Sequence, residues 1–127
     1  MPLRILILFT LTLAFNSGLF AQADIAGVWN GRSICQIKNS PCHDEQVVYH
    51  ISKNSSDSSF DVIMHKIVDN KEEYMGTLKF TFDPKQGTLI SIDTARKIRW
   101  EFRVNDKSMN GTLTYKGELY RIIEVKK

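Results

Sequence analysis

Apolar and polar residues alternate with a period of two from about residue 27 to the end of the chain, the pattern of strands that bury one face and expose the other. The clearest run is Lys97 to Val104, where Ile98, Trp100, Phe102 and Val104 point one way and Lys97, Arg99, Glu101 and Arg103 the other. Leu78, Phe80 and Phe82 alternate with Lys79 and Thr81, and Val47, Tyr49 and Ile51 with Val48, His50 and Ser52. No window of a dozen residues in this region offers the three-to-four spacing of an amphipathic helix. Turn-forming clusters separate the runs: Asn54–Ser59, Asp69–Glu72, Asp83–Gly87, Asp93–Ala95, Asn105–Lys107 and Lys116–Glu118.

The spacing predicts an all-β domain of about eight strands, at 27–35, 46–53, 60–68, 74–82, 88–93, 97–104, 108–115 and 119–126. Short connections favour antiparallel neighbours. Eight short strands with one apolar face hide that face and their edges by closing into an up-and-down barrel; a two-layer sandwich is the alternative that periodicity does not separate from it. Gly-Thr-Leu recurs at 76–78, 87–89 and 111–113. The intervals are unequal, so the tripeptide reads as strand-start chemistry and not as a repeat.

The start of the chain follows different rules. Arg4 precedes the apolar run Ile5–Phe15, which is followed by the break Asn16-Ser17-Gly18 and the small-residue site Ala21-Gln22-Ala23. This is the organisation of a secretory signal peptide over residues 1–23. The apolar run is well short of the roughly twenty residues that cross a bilayer as a helix. The residue directly after the cleavage site is Asp24 and not a cysteine, which argues against a lipid anchor. Residues 24–127 are therefore expected as one exported domain, periplasmic or secreted, with no membrane span after cleavage and a monomer favoured.

Charge narrows the partners. Seventeen Lys and Arg stand against fourteen Asp and Glu, a formal net charge of +3, and loss of Arg4 with the signal peptide removes one more positive charge. Lys97, Arg99 and Arg103 are interrupted by Glu101 and alternate with apolar positions, so they form one solvated strand face and no nucleic-acid partner is expected. Export also places Cys35 and Cys42 in an oxidising compartment, where two thiols normally join, and a Cys35–Cys42 disulfide is predicted. Six residues separate the two cysteines where a haem-attachment motif has two, so no covalent haem and no other cofactor is expected.

Two resemblances add to this. Gly27-Val28-Trp29 on the first strand and Arg121 on the last resemble the sparse signature of the calycin barrels, namely lipocalins, avidins and fatty-acid-binding proteins. The resemblance implies that Arg121 packs across Trp29 and helps to close the barrel. The chain is shorter than a typical lipocalin, and the Arg-x-Tyr pair that holds a fatty-acid carboxylate is missing, because Ile123 follows Arg121-Ile122. Fatty-acid binding is therefore not implied. Trp29–Cys35, Pro41–Tyr49 and Tyr120-Arg121-Ile122 are similar to a group of short exported bacterial proteins, a resemblance that brings no activity with it.

Candidate chemistry collects at two places. Arg121 shares a predicted face with Leu119, Ile123 and Val125, and a guanidinium among apolar side chains must be paired or stacked. Stacking on Trp29 with hydrogen bonds to carbonyls is the structural expectation, and anchoring an acidic ligand the functional one; the remaining alternative is that Tyr120 and Ile122 point inward and Arg121 is solvated. In the segment Gln36–Glu45 a predicted disulfide and Pro41 constrain a loop that carries His43, Asp44 and Glu45. In a meander barrel this loop lies at the end away from Gly27-x-Trp29, which in calycins is the ligand mouth. It could contact a ligand or a partner; the plainer expectation is that Asp44 or Glu45 caps a turn and His43 is solvated. No metal site is expected, since adjacent residues do not readily converge on one ion and His50 and His65 would have to come close. Gly-x-Ser-x-Gly, His-Glu-x-x-His and a Gly-rich phosphate loop are all missing, so no enzyme is expected. The leading expectation is a barrel that binds a small apolar or amphipathic molecule at its mouth, lined by Tyr49, Trp100 and Arg121. The competing one is a packed barrel that acts as an interaction or envelope-accessory protein through the Cys35–Cys42 loop. A continuous void of roughly 300 Å³ or more would favour the first, and a filled interior the second.

Overall fold

Each run of alternating residues becomes a strand because its apolar side chains can be buried only by facing those of its neighbours across a common interior. A computed structural model of the protein describes residues 25–127; the predicted signal peptide and its cleavage site lie outside the described residues. The strands are β1 (Gly27–Cys35), β2 (Glu45–Lys53), β3 (Phe60–Val68), β4 (Lys71–Asp83), β5 (Thr88–Asp93), β6 (Ile98–Asn105), β7 (Ser108–Tyr115) and β8 (Glu118–Lys126). Each pairs antiparallel with the next, and β1 also pairs with β8, so the sheet is a closed up-and-down barrel and not a sandwich.

The interior is filled. Trp29, Tyr49, Phe60, Phe80, Leu89 and Met109 are all buried from solvent. Tyr49 and Phe80 both meet Phe102, at ring-centroid distances of 6.0 and 5.7 Å, and Phe60 meets Phe82 edge-on at 6.4 Å. These separations are those of favourable aromatic pairs. The β1–β8 seam depends on Gly31, which lies between Val47 and Val125. A Cβ added at Gly31 would stand 1.8 Å from the Glu124 carbonyl oxygen, so the close backbone approach that shuts the barrel requires a residue without a side chain.

Three expectations are corrected. The stretch Asp69–Glu72 is not all turn: Asp69 and Asn70 alone occupy the left-handed region, with φ of 51° and 62°, and Val68 pairs directly with Lys71. This is a two-residue hairpin, whose strand-matched twist needs two such residues, and it brings Lys71, Glu72 and Glu73 into β4. In β8 the register shifts opposite Leu113 and Thr114: Leu113 faces Arg121, Thr114 faces Leu119, and Tyr120 is the extra residue. A bulge inverts the inside–outside parity beyond it, so Leu119 leaves the face it was expected to share with Arg121 and is 39% exposed. The third correction concerns Arg121 itself. It pairs with Cys35, six residues along β1 from Trp29, which at the rise of a strand is about 20 Å away. Lys127 is the cation above Trp29, with Nζ 5.9 Å from the ring centroid, while the buried indole Nε1 donates to the Ile25 carbonyl at 2.8 Å.

Candidate functional site

Four connections crowd the barrel end opposite Gly27: the loop between β1 and β2, the Asp69–Asn70 turn, the segment between β5 and β6 and the Lys116–Gly117 turn. The first is held most firmly. Cys35 and Cys42 are joined by a disulfide with 5.9 Å between their Cα atoms. Asp44 Oδ1 accepts from the Cys35 backbone N–H at 2.9 Å, closing the loop across its base. The Gln36 N–H donates to the Tyr120 carbonyl at 2.9 Å, tying the loop to β8. Within the loop Ser40 Oγ donates to the Ile37 carbonyl and accepts from the Cys42 N–H. His43 is exposed, with Nδ1 3.4 Å from the Pro41 carbonyl oxygen.

Arg121 completes this construction. Its Nη1 donates to the Ser33 carbonyl at 3.3 Å, to Ser33 Oγ at 3.1 Å and to the His43 carbonyl at 3.2 Å. Its Nη2 lies 3.4 Å from Cys42 Sγ and 3.7 Å from Glu45 Oε1, and both charged side chains are mostly buried, at 13% and 16% exposure. A sequestered guanidinium so surrounded clamps β1, β8 and the disulfide loop together. The same charges reach Tyr49, whose buried phenol is pushed far above its ordinary pKa, first by desolvation and then by Glu45, with Arg121 opposing.

Beside this polar clamp lies an apolar one. Leu113 pairs with Trp100 on one side and Arg121 on the other. Ile98, Trp100, Leu113, Tyr115 and Tyr120 line an open, predominantly apolar recess of about 210 Å³. Trp100 stacks on Phe102, which is buried beneath it, at 6.4 Å and 16°, and Tyr115 meets Tyr120 edge-on at 6.3 Å. Of the residues expected to line a mouth, Trp100 does; Arg121 stands behind Leu113 among its loop partners; Tyr49 is only 1% exposed and belongs to the floor. Asp44 caps the loop, Glu45 pairs with Arg121 and His43 is solvated. Strict alternation allows Tyr120 to face inward only if Arg121 faces out, and the bulge alone places both on one side of β8. Tyr115 and Ile98 continue the inward parity of their predicted strands, and what the sequence did not carry is their convergence with Tyr120 across β6, β7 and β8.

No protein-family model and no curated protein matches the chain.

Proposed function

We propose that the protein is an exported, non-enzymatic binding module that takes an apolar or aromatic side chain of a partner protein into the mouth of a filled, calycin-like barrel. The observation that carries this is the recess of about 210 Å³ over a packed interior. It is smaller than the roughly 300–1,000 Å³ of sites that enclose a whole small molecule, but suited to one large side chain. Its lining of one Trp and two Tyr is that of protein-interface anchors, which combine large contact area with little rotamer freedom. The clamped loop beside it presents His43 on a rigid frame, which lowers the ordering cost of association. The disulfide accords with export.

The test is heteronuclear NMR on the purified protein, titrated with a blocked aromatic dipeptide and, separately, with dodecanoate. The dipeptide is expected to shift the Trp100 indole and Leu113 methyl signals while Phe60 and Met109 stay still, and Trp100→Ala to abolish the response. Saturable dodecanoate binding that moves the interior signals would replace this reading with a small-molecule carrier.

A further inference from the structure

Outside the barrel, on the face that the mouth does not use, two imidazoles and a carboxylate meet. Val48 pairs with His65 and His50 with Ile63, so His50 and His65 are diagonal neighbours on the outer face of β2 and β3. His65 pairs with Tyr74 and Ile67 with Glu72, so the two-residue hairpin returns Glu72 diagonally to the other side of His65. His50 Nε2 is 3.0 Å from Glu72 Oε1, and His65 Nδ1 is 3.7 Å from Glu72 Oε2. One donor atom from each of the three lies within 4.8 Å of the others.

We propose that His50, His65 and Glu72 form a binding site for a divalent transition-metal ion of the zinc type on the outer wall of the barrel. A second observation supports it independently of the clustering. His65 Nδ1 is shielded from solvent and, among the described residues, is the buried side-chain polar atom without a hydrogen-bond partner; its 3.7 Å separation from Glu72 is too long for such a bond. A ring nitrogen left without a partner in that position is one that, deprotonated, a metal ion satisfies. The ring is also oriented in advance, with His50 edge-on at 5.1 Å and Tyr74 at 5.9 Å, while Tyr74 Oη is fixed by Thr77 Oγ1 at 3.0 Å.

The donor set selects the ion. Two nitrogens and one carboxylate suit zinc, nickel or copper, whereas calcium and magnesium require oxygen shells. Both cysteines are consumed in the disulfide, which leaves histidine and carboxylate as the ligands this domain has to offer. Metal–ligand bonds of about 2.0–2.2 Å at tetrahedral angles need donors roughly 3.3 Å apart. Glu72 and His50, 42% and 37% exposed, have the freedom to close the remaining gap. Three protein ligands leave a fourth position open to solvent.

The test is calorimetric titration of the chelator-treated, intact protein with Zn²⁺, followed by Co²⁺ substitution read by visible absorption. One Zn²⁺ per chain is expected, with the intense absorption of four-coordinate cobalt. His65→Ala should abolish both signals. Glu72→Gln, which keeps the shape of the side chain and guards against a folding artefact, should weaken binding by about tenfold or more. Absence of saturable uptake, binding unchanged in both variants, or binding lost in His43→Ala but kept in His65→Ala would overturn the proposal.

Discussion

Arg121 shows how far a residue's role depends on what lies opposite it. Alone it is a charge on an apolar strand; beside Cys35 it becomes the fastener of the disulfide loop, donating to Ser33 and His43 and pairing with Glu45. Removing one member of a mostly buried pair strands the other. Arg121→Met and Glu45→Gln are each expected to lower stability by about 2 kcal/mol, and the double variant to show a coupling of about 1 kcal/mol or more in urea titrations. Arg121→Met combined with Trp29→Phe should instead be additive within about 0.5 kcal/mol, because the two sites share no partner. Coupling to Trp29 but not to Glu45 would contradict the geometry.

At the scale of elements, glycine and single-residue irregularities set where strands meet. Gly31 lies in extended backbone between β2 and β8, and its requirement is steric: an added Cβ would strike main-chain atoms of Glu124 and Val125. Gly111 is tight for a different reason, since its added Cβ would stand 2.4 Å from Cδ1 of the Phe102 ring and no closer than 3.0 Å to main chain, at the Glu101 carbonyl oxygen, so that the severe contact is with a side chain. Gly31→Ala is therefore expected to cost about 3 kcal/mol or more and Gly111→Ala about 1 to 2, by denaturant midpoint. The reverse order would mean that the β1–β8 seam yields more readily than the core. The seven strands whose bounds follow from alternation and turn residues were legible to within a residue; β4 was not, because Glu72 and Glu73 carry no alternation to mark them as strand. That one misplacement hid the His50–His65–Glu72 cluster, since a glutamate assigned to a turn has no face to share with two histidines.

The whole molecule is held by closure more than by its crosslink. Every strand has two neighbours, so unfolding must break the ring as a unit, while the disulfide closes only the short loop Cys35–Cys42. In the chain-entropy picture that loop contributes about 2.5 kcal/mol, a fraction of the 5–15 kcal/mol usual for a domain. Reduction is expected to lower the thermal midpoint by about 10 °C while the β-sheet circular dichroism at room temperature persists. The unreduced protein should show no titratable thiol. Loss of sheet structure on reduction would make the crosslink, and not ring closure, the determinant of folding.

Period-two alternation and the spacing of turn residues were enough to determine eight antiparallel strands and, apart from the start of β8, their inward faces, and the presence of two cysteines behind a signal-like segment was enough for the Cys35–Cys42 pair, because each of these follows from local chain geometry or from two residues alone. Tertiary structure decided the rest. Whether the interior is hollow depends on side chains from many strands competing for one axis, and Tyr49, Phe80 and Phe102 fill it together. The bulge that turns Tyr120 inward, the contact of Lys127 and not Arg121 with Trp29, and the meeting of His50 with Glu72 are matters of register between strands. A shift of one residue in pairing moves a side chain to the other face, and a single strand's own sequence does not carry that information.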